Sequence, residues 1–209
     1  MGVGATLIDL ISGIFSPTLG VMAATGMIKG FLALLAYFNM LSPDSGTYQI
    51  LYSVGDSFFY FLPIFLGYNA ANKFGMNKYV GMALGASLLY PNITALSTGE
   101  SLGTFLAGTA FQTEIYTKFL GIPVLLPAGG YASTVIPIVL AAWAASKIEK
   151  ALKKVIPDVV KTFLVPMGTL AIAVPLTFLV VGPIANLAAS AIGLITSTIY
   201  GLSPVIAGI

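Results

Sequence analysis

Cysteine, histidine and arginine are absent from the 209 residues, and charged side chains make up only 8% of them. Without cysteine there is neither a disulfide nor a thiolate nucleophile, and without histidine the commonest proton shuttle and metal ligand is missing. Without arginine no guanidinium can hold a phosphate or carboxylate in bidentate fashion. All nine basic residues are lysine, and the net charge of +2 lacks the basic face that nucleic acid requires. The chain is therefore expected to hold no metal or cofactor, to bind no nucleic acid, and to supply no catalytic residue of its own.

What is present is apolar: 57% of the residues are hydrophobic, with a mean hydropathy of +0.97. A soluble fold could not hide that much apolar surface, so lipid must solvate most of the chain. The apolar runs are continuous and not alternating, which selects helices over a barrel. The expected fold is an all-α integral membrane protein, a polytopic helical bundle. The start, MGVGATLIDL, has no basic region followed by a small-residue cleavage site. The first span is thus expected to act as its own insertion signal.

Residues 5–15 are a short apolar helix carrying Asp9, too short to span, followed by Pro17. Residues 18–38 have spanning length, with Gly20, Ala23, Ala24, Gly26 and Gly30 forming a small-residue stripe open to a second helix. A turn over 39–47 leads to a second span over 48–71, aromatic at Phe58 to Phe61. A third, over 79–90, is marginal in length. Residues 92–130 are the most polar long segment, and 119–127 (FLGIPVLLP) suit an extended or hairpin excursion outside the membrane; entry of 102–111 into the membrane is left open. Residues 132–146 form a further span with Trp143 as an interfacial anchor. From Lys147 to Val155 the period becomes amphipathic, with Ile148, Ala151, Leu152 and Val155 on one face and Lys147, Lys150 and Lys154 on another. This segment is expected to lie flat on the membrane, Glu149 making a surface pair with Lys153. Residues 159–181 span again, 182–183 turn, 185–200 are apolar, and 203–204 begin an element cut short at Ile209. The chain thus reads as a fragment or as one part of a larger protein.

The lysines set an expected topology. The cluster from Lys147 to Lys161 and the loop from Lys73 to Lys78 belong in the cytoplasm by the positive-inside bias, with crossings at 18, 48, 79 and 132. Lys29 and Asp56 are the charges inside spans, each costing roughly 2.5 to 3.5 kcal/mol at a helix centre. They could form an intramembrane charge pair. It would be a substrate or ion contact, or else a structural pair or a snorkelling lysine, and the absence of a third polar group favours the structural readings. The helix with Lys147, Lys150, Lys153 and Lys154 is either a docking surface for a cytoplasmic partner or a headgroup anchor. Asn69, Asn72, Asn92 and Asn186 could reach sugar hydroxyls, but helix capping explains them more cheaply.

Several segments in order resemble the membrane-spanning IIC component of bacterial sugar phosphotransferase-system permeases, in the glucose and glucoside superfamily, nearest the β-glucoside, sucrose and trehalose branch. They are Ile14 to Leu35, Gly55 to Leu62 (GDSFFYFL), Ala71 to Gly75 (ANKFG), Gly121 to Val124 (GIPV), Tyr131 to Trp143 and Lys147 to Pro166. The most specific is STVIPI followed by KIEKALKKVIPDVVKTFLVP. The resemblance implies a homodimeric permease of the bacterial inner (plasma) membrane that carries a sugar inward while a phosphorylated IIB domain or protein phosphorylates it. It further implies an amino-terminal dimerising domain over 1–146, an amphipathic connecting helix over 147–158, and the start of a truncated sugar-binding domain over 159–209. The family's Gly-Ile-Thr-Glu-Pro-like motif and His-Trp pair have no counterpart in these residues. The alternative is a non-transporting assembly or docking subunit that recruits a cytoplasmic partner through the basic helix. An intramembrane enzyme is disfavoured by the missing histidine and cysteine.

Overall fold

In the computed structural model, residues 3–109, 112–127 and 130–202 are described. Helix α1 (Val3–Phe15) passes through a single 3-10 turn (Ser16–Thr18) into α2 (Leu19–Tyr37). Pro17 sits in the first turn of that 3-10 segment, where its missing N–H leaves no ladder bond unmade. The short first helix therefore continues into the first span, and residues Gly4–Tyr37 run 34 residues, ample for a crossing. A turn follows, and Ser45 caps α3 (Gly46–Tyr60) by accepting from the Tyr48 N–H at 3.2 Å. Pro63 opens α4 (Leu62–Phe74), so Gly46–Phe74 forms one apolar rod with a break at Phe61.

Helix α5 (Lys78–Leu88) has 11 residues, about 16 Å, half the thickness of a bilayer core. The expected third crossing over 79–90 is thus a half-depth helix, continued by the short α6 (Pro91–Leu96). Such a helix is tolerated where protein surrounds it. Val80, Leu84 and Leu88 are buried, and α5 packs on α4, α7 and α8.

The excursion is a three-stranded antiparallel sheet in the order β1 (Gly103–Phe105), β2 (Thr113–Phe119), β3 (Ile122–Leu125). The tight β2–β3 hairpin places Leu120 and Gly121 at positive φ, with Phe119 opposite Ile122. Glu114 accepts from the Ser101 and Thr104 hydroxyls, Ser101 foremost, which holds its carboxyl below the usual range. Segment 102–111 holds β1 and a turn, as far as residue 109.

Helix α7 (Ile136–Val155) is unbroken, so the basic stretch forms its last turns and no separate flat helix begins at 147. The break comes at Pro157. Helix α8 (Asp158–Leu176) carries Pro166 and Pro175 within it and passes through a π-helical turn (Thr177–Val181) into α9 (Gly182–Leu202). The turn expected at 182–183 is absent: the helix runs on through the π-helical turn, where the Gly182 N–H donates to the Thr177 carbonyl five residues back. Gly182 is required there for another reason, since a Cβ on it would overlap the buried Tyr131 hydroxyl. Residues 203–204 lie outside the described residues.

The densest packing lies between α4 and α5. A Cβ built on Gly67 or Gly81 would overlap the carbonyl oxygen of the other, and one on Gly85 would overlap that of Pro63. Gly81 and Gly85 are four apart, the spacing that lets two helix backbones touch when lipid offers no hydrophobic drive for association. The stripe expected to serve this purpose on α2 does not do so within the chain. Gly20 and Gly30 meet nothing within 4 Å, and Gly26 reaches only Phe59 at 3.9 Å.

Candidate functional site at the basic end of the bundle

Helix α4 ends at Phe74 and is capped by Gly75 in the left-handed conformation (φ +69); α5 begins at Lys78, three residues after Gly75, under Asn77, whose side chain accepts from the Tyr79 N–H at 2.9 Å. The last turns of α7 cross this α4–α5 corner. Lys150 donates through Nζ to the Phe74 carbonyl at 2.9 Å. The Glu149 carboxylate accepts from the Asn77 N–H at 3.1 and 3.2 Å and from Lys153. A cation thus meets the carbonyl end of α4 and an anion meets the amide end of α5, the arrangement that two helix dipoles favour.

Glu149 is only 1% exposed, so the expected surface pair is a buried carboxylate whose lysine partner reaches solvent. The expected faces of 147–155 also shift. Ala151 and Val155 are exposed, while Ile138, Ala142, Ala145 and Glu149 follow one another along the buried line of α7 at helical spacing. That spacing was the available signal: Glu149 lies four residues after Ala145, on the stripe of a helix that does not stop at 146.

Of the four lysines proposed as a docking face, Lys150 and Lys153 are engaged as above. Lys147 lies over the Trp143 ring, 5.8 Å from its centroid, and Trp143 itself is exposed. Lys154 has no ion-pair partner among the described residues. Beside them, Asn77, Glu149, Lys153, Asp158, Lys161 and Thr162 line a polar cleft of about 330 Å³ where α5, α7 and α8 meet. Sequence reasoning missed this cleft because its walls come from segments up to 89 positions apart, from Asn77 to Pro166.

The structure brings Lys29 and Asp56 together at 2.6 Å, across the α2–α3 hairpin. The ammonium also lies 5.1 Å from the Tyr52 ring centroid and 5.6 Å from that of Phe59. Gly55 makes room, since a Cβ there would come 2.7 Å from Lys29 Cγ. Both side chains remain about one-third exposed, at 34% and 33%. Lys29→Met and Asp56→Asn are each expected to lower the yield of folded protein in membranes, and the double variant to lose less than the sum. The coupling should reach roughly 0.5 kcal/mol or more. Strictly additive losses would exclude a contribution from the direct contact.

The asparagines divide. Asn69 donates through Nδ2 to the Ile14 carbonyl at 2.8 Å, tying α4 to α1, so capping does not account for it. Asn72 and Asn92 are exposed, and the side chain of Asn186 lies outside the described residues. In the aromatic run, Phe58 is buried and stacks on Phe65 with centroids 4.6 Å apart, while Tyr60 and Phe61 face outward.

Comparison with known proteins agrees with an architecture of long apolar helices. A family model, "Phosphotransferase system, EIIC", matches residues 12–209. The chain is 57% identical over 201 residues to a "PTS system beta-glucoside-specific EIIBCA component" of Halalkalibacterium halodurans, covering 96% of this chain and 31% of the relative. It is 40% identical to a protein of the same description from Dickeya chrysanthemi, over 96% and 30% of the two chains. It is 31% identical to a "PTS system sucrose-specific EIIBC component" of Bacillus subtilis, over 95% and 41%. The chain thus spans about a third of the length of the two β-glucoside-specific relatives named above. No solved structure is matched. With the family model covering all but the first eleven residues, the chain belongs to the phosphotransferase system EIIC family, a polytopic membrane domain.

Proposed function

We propose that this chain is the amino-terminal part of the membrane domain of a permease that takes up a sugar, of the β-glucoside class, and delivers it to a phosphorylated IIB component. The observation that carries this reading is the 57% identity over 201 residues to a β-glucoside-specific relative whose description joins B, C and A components. The docking-subunit alternative loses its support, since two of the four lysines it relies on are used within the bundle. The test is uptake and phosphorylation of a panel of labelled glucosides by the full-length protein with its IIB component. Sugar phosphate should accumulate inside for at least one glucoside, and failure with all of them would overturn the substrate class.

The basic end is proposed to face the cytoplasm. Seven of the nine lysines (73, 78, 147, 150, 153, 154 and 161) belong to the α4–α5 corner, the end of α7 and the start of α8. From there α8, with 19 residues, carries the chain about 28 Å to the hairpin side, close to the depth of a bilayer core. Labelling of single cysteines at 154 and 120 with an impermeant reagent in intact cells should mark only 120; the reverse pattern would invert the topology. On this reading residues 159–209 open a sugar-handling half, and 147–158 join it to the first.

A homodimer is proposed through α2 and α3. Their outer surface leaves Gly20 and Gly30 unfilled, exposes Phe31 and Leu34, and keeps a charge pair partly uncovered, which lipid would penalise and a second copy would cover. Cysteines placed along 18–38 should cross-link between copies in membranes. Monomer at every position would place the interface elsewhere.

A further inference from the structure

A second cavity, of about 530 Å³, lies at the opposite end of α8, between the hairpin and helices α5, α6 and α8. Its walls are apolar, from Ile93, Val124, Leu126 and Phe178. One wall is formed where α8 widens: Pro175 and Phe178 flank the start of the π-helical turn, and such turns recur at ligand sites. Three further lining residues stand at the rim. Tyr90 is 56% and Phe119 40% exposed, and Lys118 is exposed beside them on the hairpin. Among the described residues no carboxylate lines the cavity.

We infer that this cavity binds one acyl chain of an anionic phospholipid, with the headgroup phosphate at Lys118. The chemistry is specific in two ways. An apolar chamber of this size suits a hydrocarbon chain and offers too few polar groups to orient a sugar. The rim combines two aromatic residues with a single cation, the set that lies at headgroup level in membrane proteins, and the cation has no acid among the lining residues to neutralise it. The occupant is a lipid because this end of a membrane domain borders acyl chains already, and Lys118 supplies the charge complement for a phosphodiester. The inference is independent of which sugar is carried and of which side the hairpin faces.

The test is native mass spectrometry of the full-length protein extracted from membranes containing phosphatidylglycerol and phosphatidylethanolamine. One phosphatidylglycerol should be retained per chain in preference to phosphatidylethanolamine. Lys118→Gln, an exposed substitution, should reduce that preference about fivefold, the equivalent of the ~1 kcal/mol typical of one lysine at an anionic surface. Thr117→Phe, which fills the cavity from β2, should abolish retention of either lipid with the melting temperature unchanged. Absence of bound lipid on the full-length protein overturns the proposal. So does equal retention by the parent and both variants.

Discussion

Gly81→Val is expected to leave little folded protein in the membrane. Gly81 and Gly67 face each other so closely that a Cβ on either would overlap the other's carbonyl oxygen, and one on Gly81 would also come 2.6 Å from the Ala71 Cβ. Overpacking a core commonly costs about 1–3 kcal/mol because neighbouring side chains can turn aside. Here the obstacle is backbone, and neither helix can turn aside without separating along its length. The cost should therefore reach the upper end of that range, about 3 kcal/mol or more. Separation of α4 from α5 would also open the contacts of Leu66 and Leu84, which are fully buried. Gly46→Ala is the control, because a Cβ there meets nothing within 4 Å. Size-exclusion profiles and melting temperatures of the two variants should differ sharply; equal behaviour would show that the α4–α5 contact is looser than described.

Removal of Glu149 should have the next largest effect. Glu149→Ala leaves the Asn77 N–H without its acceptor inside the bundle and removes the anion from the start of α5. A hydrogen bond to a charged group is worth about 1.5–3 kcal/mol, and the orphaned donor adds its own desolvation cost, so a loss of about 2–3 kcal/mol is expected. Lys153→Ala should cost under about 1 kcal/mol, since its side chain is 47% exposed and water replaces most of the interaction. Glu149→Gln keeps one acceptor oxygen and should fall between them. Thermal melting of the three variants checks the order. Equal losses for Glu149→Ala and Lys153→Ala would mean that the ion pair, and not the amide contact, holds the corner.

These two positions mark how far the sequence could be read. Gly67, Gly81 and Gly85 were legible as small residues in apolar spans, but so were Gly20 and Gly30, and only the three-dimensional arrangement separates those in backbone contact from those left open. Glu149 was legible as the partner of Lys153 at helical spacing, and that pair forms. Its burial was not, because the apolar period changes at Lys147 and a span over 132–146 followed by a separate amphipathic segment fits the sequence equally well. With α7 continuous, the line from Ile138 through Ala145 carries Glu149 into the core. Lys29 and Asp56 stood out because charges in apolar spans are costly, and the antiparallel hairpin places them at 2.6 Å. The strand-like stretch 119–127 was visible from its prolines and β-branched residues. Strands β1 and β2 were not, since the short runs GTF and TEIYTKF gain their partners only from each other and from β3.

The sequence by itself determined that the chain is helical and lipid-solvated, because continuous apolar runs with 8% charge leave no other way to satisfy the backbone. It also determined where the lysines gather and to which family the ordered segments are similar, since those are properties of position along the chain. The tertiary structure decided which polar groups meet and which glycines touch. It joined Asn77 to Glu149 and Ile14 to Asn69, and it set the cavity beside Lys118. Those contacts depend on the angle and depth at which helices cross, and in lipid that is set by side-chain and backbone fit between distant segments, for which local periodicity carries no signal.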